Sequence, residues 1–274
     1  MDLSTIGGFV IGFAIVFVVL ILDGGHIGDL FAVPQSMFLI FGGSLSATAI
    51  SVGAKTFATL PKVVGEALKQ KKSNPGEAID LITRLADKAR REGLLALEEE
   101  SKKIQDPFLQ KGIMLVVDGV DPAQVKSILE TSIDNLEIRH KKGAGAFLAA
   151  GGYSPTFGII GTVMGLMHAL TMLDDPQKLA GAIAGAFLAT LWGLLFANLL
   201  FLPLGNNLKS KTEREVHYRY LLTEGILALQ AGENPRIVRE KLNAFLAPGE
   251  IRSEEGKNKK RSAPAPNTEN VKAS

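Results

Sequence analysis

The chain has 274 residues, no cysteine, and nearly balanced charge: 30 Lys and Arg against 28 Asp and Glu, a net of +2. The missing cysteine excludes disulfides, thiolate chemistry and Cys-ligated metal. The net charge points to no partner, because acids and bases are interleaved.

The informative quantity is where charge is absent. No Asp, Glu, Lys or Arg lies between Asp2 and Asp23, Asp29 and Lys55, Lys142 and Asp174, or Lys178 and Lys209. Each gap is mostly apolar and at least 20 residues long, enough for a helix to cross the hydrocarbon core. The chain therefore reads as an all-α integral membrane protein with four transmembrane helices. The first gap does not read as a cleaved signal peptide. No Lys or Arg precedes it and no small-residue cleavage motif sits before Asp23.

Basic residues orient the spans. None precedes Lys55; 16 lie in 55–142, one (Lys178) in the loop 174–178, and 13 beyond 206. Loops 23–33 and 174–178 are expected outside. The N-terminus, the segment 55–142 and the C-terminus are expected in the cytoplasm.

In chain order, span one is expected over Ser4–Leu22 and span two over Pro34–Val52, a transmembrane hairpin (1–54) whose outer loop holds Asp23, Gly24, Gly25, His26 and Asp29. A cytoplasmic helical domain follows (55–142). Asn74-Pro75-Gly76-Glu77 marks a helix start with Asn at N-cap, Pro at N1 and Glu at N3, and Asp121-Pro122-Ala123-Gln124 repeats the device. Ile79, Ile82, Leu85, Ala86 and Ala89 form one apolar stripe. Gly93 interrupts it, and a short helix is predicted from Leu94 to about Ile104. The helix from Pro122 is predicted to run through Lys142 into span three. A second transmembrane hairpin (143–205) holds span three within 144–173 and span four within 179–205. Asp174-Asp175-Pro176 joins them so tightly that they must pack antiparallel. A cytoplasmic helical extension (206–249) carries one helix from Leu208 to about Ala231 and another from Asn234-Pro235 to near Phe245. Residues 250–274, rich in Lys, Glu, Pro and Ser, read as a disordered tail.

The span interiors hold no Asp, Glu, Lys or Arg. Apart from Tyr153, His168 is the only titratable side chain well inside one. Intramembrane carboxylates ordinarily carry ions or protons, so an ion path here would need a carboxylate from another chain; a scaffold that moves nothing is the alternative. Gly181, Gly185, Ala189, Gly193 and Ala197 make a small-residue ridge on span four, and Gly158, Gly161 and Gly165 on span three. Such ridges allow close helix approach in lipid, either closing this hairpin or receiving a partner's helix. Pro155 and Pro203 each remove a backbone donor and favour a kink, the freed carbonyls being satisfied by Ser154 or water. Thr162 and Thr190 are expected at comparable depth, where a hydroxyl either contacts a dehydrated cation or bonds its own i−4 carbonyl. Arg90-Arg91-Glu92 and Glu98-Glu99-Glu100 are opposite charge blocks, about two turns apart if the helix survives Gly93. They are either a solvated face with pairs such as Glu98–Lys102 and Glu99–Lys103 or a docking surface. No phosphate-binding loop, metal-ligand spacing or nucleophile motif appears. The basic cluster Lys257, Lys259, Lys260 and Arg261 suits anionic membrane lipid and is too weak a signal for nucleic acid.

Four blocks carry a resemblance. Ser154-Pro155-Thr156-Phe157-Gly158-Ile159-Ile160-Gly161-Thr162-Val163-Met164-Gly165-Leu166 resembles the third span of MotA/PomA-type flagellar stator subunits. Ala189-Thr190-Leu191-Trp192-Gly193-Leu194-Leu195-Phe196-Ala197-Asn198 with Leu202-Pro203 resembles their fourth. Ala89 to Glu98 resembles their cytoplasmic signature, and Leu221 to Leu246 also matches. The similarity spans about residues 1–247. It implies a subunit of a pentameric ring around a MotB-type, single-span, peptidoglycan-anchored partner that brings the ion-carrying Asp. It implies an ion path and selectivity at Thr162 and Thr190, with H+ or Na+ as the transported ion and no other cofactor. It implies conformational coupling at Pro155 and Pro203, and contact with the flagellar rotor switch protein through Arg90, Arg91, Glu98 and Glu99. Spans three and four would line the inner ring, and spans one and two would lie outside it, in the bacterial inner membrane. Thr at 162 resembles sodium-type members, and the ion stays open. A TolQ/ExbB-type channel subunit is the alternative; it shares the last two spans and usually has three in total. No enzyme is indicated.

Overall fold

A computed structural model describes residues 3–68 and 74–246. The described residues are helices and short turns without a strand. They divide into two compact units, Met1–Lys71 with Asn135–Arg214 and Lys72–Asp134 with Glu215–Ser274. The segment 55–142 is thus shared between the units. The tail 250–274, including the basic cluster, lies outside the described residues.

The first unit begins with α1 (Leu3–Leu22), a one-turn α2 (Ile27–Leu30) and α3 (Pro34–Val52). In the loop between α1 and α2, Gly24 adopts φ +80°, and Asp29 accepts from the His26 N–H at 2.9 Å. Two short helices follow, α4 (Ala54–Ala58) and α5 (Leu60–Leu68). The unit also contains the long helix α9 (Pro122–Ala169) from Asn135 onward, then α10 (Pro176–Leu195), a π-helical turn over Phe196–Phe201, and the first part of α11 (Leu202–Gln230). Among the described residues four helices are long and apolar enough to cross a membrane: Thr5–Leu22, Pro34–Val52, and stretches within Pro122–Met172 and Pro176–Gln230. α1 leaves Val10, Ile11, Ile15, Val18 and Val19 exposed, a distribution that water would penalise and hydrocarbon does not.

Two apolar clusters hold this unit. One gathers Leu60, Ala146, Phe147, Ala150, Phe201 and Leu204; the other gathers Leu30, Ile40, Ala189, Trp192 and Leu195. The only Trp of the chain is buried, and a buried indole N–H needs an acceptor. Trp192 Nε1 donates to the Leu30 carbonyl at 2.7 Å, which ties α2 to α10.

The second unit starts with α6 (Pro75–Glu92), a 3₁₀ turn (Leu94–Leu97) and a one-turn α7 (Glu98–Ser101). It continues with α8 (Pro107–Val117), the first part of α9, the last part of α11, and α12 (Pro235–Asn243). The stripe Ile79, Ile82, Leu85, Ala86 and Ala89 packs into one core with Leu97, Leu109, Ile113, Leu129, Ile133, Leu222 and Ile226. α6, α8, α9 and α12 each begin with Pro. The Asp106 carboxylate accepts from the Phe108 and Leu109 N–H groups at 2.8 and 3.2 Å. Asp121 and Asn234 cap in the same way, accepting from Ala123 and Arg236, each at 2.9 Å. Asn74 occupies the N-cap of α6 without a side-chain cap bond.

The predicted helix from Leu94 to Ile104 is broken. Gly93 ends α6 at φ +88°, a conformation that L side chains rarely adopt. The chain then forms the 3₁₀ turn, which lets Leu97 enter the core fully buried. Arg90 and Glu98 therefore sit on different elements, not two turns apart on one helix. The continuous helix from Pro122 into span three is present.

Candidate functional site

The centre of the first unit is the α9–α10 hairpin. Glycine and alanine bring the two backbones into contact. A Cβ placed on Gly158 would stand 3.2 Å from the Ala189 carbonyl oxygen and 3.2 Å from Gly193 Cα. One on Gly165 would stand 2.8 Å from Ala186 Cβ, and one on Gly161 3.0 Å from Ala189 Cβ. These parts of the ridges close the hairpin on itself. Gly185 instead faces Val33, and Gly181 has nothing within 4 Å.

The close approach presents polar groups to one another. Thr162 Oγ1 lies 3.0 Å from the carbonyl of Gly158 on its own helix and 3.0 Å from that of Ala186 across the hairpin. It also hydrogen-bonds the Thr190 hydroxyl. Both threonines are half-buried. Two hydroxyls and two carbonyls thus gather four oxygens, with only two hydroxyl protons to share among them. Thr162 makes the i−4 carbonyl bond that sequence offered as one alternative, and adds cross-hairpin contacts that sequence did not anticipate.

Ser154 behaves differently from expectation. It is fully buried, and its Oγ donates to the Gly193 carbonyl at 3.0 Å rather than capping a carbonyl freed by Pro155. The reason is Gly193: without a side chain, its backbone comes close enough for its carbonyl to be reached. Pro155 stays inside α9 without interrupting it. Pro203 follows the π-helical turn over Phe196–Phe201, where the Leu202 N–H bonds the Ala197 carbonyl five residues back. A π turn shifts backbone pairing by one residue, a known way to seat a proline within a helix. The helix continues past Pro203 as α11. Pro203 lines a cleft of about 290 Å³ with Thr5, Gly8, Phe9, Leu199 and Asn207. There Asn207 Nδ2 donates to Thr5 Oγ1 at 3.0 Å, while its buried Oδ1 has no partner among the described residues.

In the second unit Arg90, Arg91, Glu98 and Glu99 are all exposed, but their charges are not equally free. Arg91 pairs with Asp87 at 3.1 Å. Lys102 holds both Glu98 (3.3 Å) and Glu99 (3.1 Å), which raises the pKa of the Lys102 ammonium, Glu99 contributing most. The expected Glu99–Lys103 pair is absent because Lys103 turns to Glu100 at 3.3 Å. Glu100 also takes Lys88 at 3.0 Å. The Lys88 hydrogen bond, with that of Lys103, lowers the pKa of the Glu100 carboxyl. Among the described residues Arg90 has no ion pair. The acidic block is compensated, and one arginine is left open to a partner.

Sequence reasoning gave Ser154 the wrong acceptor and gave Trp192 no structural role. A single Trp in a span, whose N–H must find an acceptor, was the available signal for the second.

These features define a polytopic membrane protein with a close-packed, hydroxyl-bearing hairpin among its spans. The family model described as MotA/TolQ/ExbB proton channel matches residues 100–220, and that of the motility protein A N-terminal region matches residues 6–93. The chemotaxis protein PomA of Vibrio alginolyticus is 38% identical over 249 residues, covering 91% of this chain and 97% of its own. Motility protein A of Bacillus subtilis is 34% identical over 247 residues, covering 90% and 91%. The C. jejuni MotAB structure superposes with a TM-score of 0.86 at 35% identity over 90% of this chain and 97% of that one. The flagellar MotAB stator complex from Bacillus subtilis gives 0.87 at 33% identity over 93% and 99%. The chain belongs to the motility protein A family, within the MotA/TolQ/ExbB proton channel proteins.

Proposed function

We propose that this chain acts as the flagellar stator subunit that, with a MotB-type partner, turns ion flow across the inner membrane into torque on the rotor. Likeness to PomA, motility protein A and two MotAB structures supports the role. The match to the motility protein A N-terminal region over 6–93 favours it over a TolQ/ExbB-type channel subunit.

The observation that carries the mechanism is the oxygen cluster of Thr162, Thr190, Gly158 and Ala186 in spans without an Asp, Glu, Lys or Arg. A carboxylate from the partner would complete it. Unpaired in hydrocarbon, that carboxylate carries a penalty of several kcal/mol, which an arriving H+ or Na+ removes. Hard cations take oxygen ligands, and the cluster supplies hydroxyl and carbonyl oxygens beside the path. Neutralisation frees the ring to step. Pro155 and the Pro203 π turn are the places where α9 and span four yield, and the exposed block led by Arg90, with Arg91, Glu98 and Glu99, engages the rotor switch protein. In this reading copies of the chain form a pentameric ring with the hairpin innermost and both termini cytoplasmic, and the chain catalyses no covalent reaction.

The test is Thr162→Val, which keeps shape and removes the hydroxyl. Swimming speed should fall at least fivefold at low external Na+ or at raised pH, whichever ion drives the motor, with the protein still in the membrane. Unchanged speed across both titrations would remove Thr162 from the ion path.

A further inference from the structure

A second cleft, of about 360 Å³, opens where α3 ends and the charge-free part of α9 begins. Ser51, Val52, Thr56, Lys142, Gly145 and Ala149 line it. All six belong to the first unit. The cleft lining mixes the polar Ser51, Thr56 and Lys142 with the apolar Val52, Gly145 and Ala149. Lys142 is the last charged residue before the charge-free stretch that ends at Asp174, and Val52 is the last residue of α3. A Cβ on Gly143 would stand 3.2 Å from two methyl carbons of Val63, so α5 lies against α9 beside the cleft. α5 buries Leu60 and packs Val63 and Val64 against the Phe147 cluster. It is an amphipathic helix of the kind that lies in a membrane interface. The cleft therefore sits at the boundary between hydrocarbon and water.

Its polar groups are uncommitted among the described residues. Thr48 and Thr59, on either side in sequence, bond backbone carbonyls of their own segments at 2.7 Å. Ser51 and Thr56 donate to no carbonyl among the described residues, and Lys142 has neither an ion pair nor a hydrogen bond there. Its neighbour Lys141 is held by Glu137 at 2.7 Å. Among the described residues one unpaired ammonium and two hydroxyls without a carbonyl acceptor thus line the cleft beside Gly145 and Ala149. We propose that this cleft binds the headgroup of an anionic phospholipid, Lys142 pairing with the phosphodiester, Ser51 and Thr56 donating to its oxygens, and an acyl chain lying over Val52 and Ala149. A lipid is the occupant rather than a soluble anion because the cleft lies where the charge-free stretches of α3 and α9 meet charged chain, beside the amphipathic α5 and one residue after the exposed Ile50.

The full-length chain, extracted in mild detergent with its native subunits, is titrated with phosphatidylglycerol and, separately, phosphatidylethanolamine, and bound lipid is counted by native mass spectrometry. Lys142→Gln should weaken phosphatidylglycerol retention about fivefold, the effect of one interfacial lysine. Ser51→Ala with Thr56→Val should weaken it in the same direction, and Lys141→Gln should leave it unchanged. Equal retention by Lys142→Gln and parent would overturn the site, as would an equal loss in Lys141→Gln. Equal binding of the two lipids would overturn the anionic preference, and displacement by millimolar inorganic phosphate would assign the site to a soluble anion. All the substituted side chains are at least partly exposed, so the fold survives each change.

Discussion

Replacing Gly193 with alanine tests whether the hairpin contact governs both stability and motility. The added Cβ would stand 2.9 Å from Gly158 Cα and 2.9 Å from the Ser154 carbonyl, whereas ordinary contact begins at 3.4 Å. Both obstacles are backbone, so the helices must part by about 0.5 Å locally. Forcing a methyl into a packed contact costs roughly 1–3 kcal/mol. Weakening the Ser154 bond to the Gly193 carbonyl adds about 0.6 kcal/mol, an average for hydrogen bonds between membrane helices. At roughly 2–4 °C per kcal/mol for a chain of this size, the purified complex should melt about 3–14 °C lower. The same opening would stretch the 3.0 Å contact of Thr162 with the Ala186 carbonyl to the limit of a hydrogen bond, so swimming should slow even where protein remains abundant. Gly158→Ala, facing 3.2 Å contacts, should do less. Gly181→Ala, with nothing within 4 Å, should be neutral or stabilising by up to about 1 kcal/mol, since it removes a helical glycine. The reading is refuted if Gly193→Ala melts and swims like Gly181→Ala.

Other outcomes follow from the charge pattern. Arg90→Ala should reduce torque of tethered cells by itself, because no neighbour shares its role. Glu98→Ala should be mild, since Glu99 still holds Lys102, and Glu98→Ala with Glu99→Ala should lose more than the two singles combined; additive losses would count against the shared lysine. None of these exposed changes should move stability by more than about 0.5 kcal/mol. The Lys88–Glu100 pair sets a pH window. The Glu100 pKa is lowered, so its contribution is present above the usual glutamate value of about 4.3 and disappears as pH falls through the lowered value. The Lys88 pKa is raised by the Glu100 hydrogen bond, so its contribution is present below the usual lysine value of about 10.4 and disappears as pH rises through the raised value. Melting followed from pH 3 to 7 should show Glu100→Gln flattening the acid limb of the second unit, and an unchanged limb would dismiss the pair.

Much of this molecule was legible as sequence because its environment is severe. Hydrocarbon does not admit unpaired charge, so four charge-free gaps announce four spans. The fold needs helix starts at fixed points, so Pro75, Pro122 and Pro235 mark them, whereas Pro107, which in sequence only closes the preceding segment, also opens α8. The stripe from Ile79 to Ala89 announced a buried face because water enforces period on a helix. Tertiary structure alone decided which groups meet. Small residues permit approach without saying to what; only the packed hairpin shows Gly158, Gly161 and Gly165 closing on Ala186, Ala189 and Gly193 while Gly185 faces Val33. Ser154 had a plausible acceptor on its own helix, and the absent Cβ of Gly193 gave it another. Gly93 was seen to interrupt α6, yet the direction of the next turn, which carries Leu97 inward and separates Arg90 from Glu98, follows from its positive φ. Spacing gave the Glu98–Lys102 pair, but lysines have long, free side chains, so Lys102 also taking Glu99 and Lys103 choosing Glu100 could not be read from it. Composition marks where membrane and water lie; the approach of backbones sets which hydroxyl, carbonyl and charge remain available to an ion or a partner.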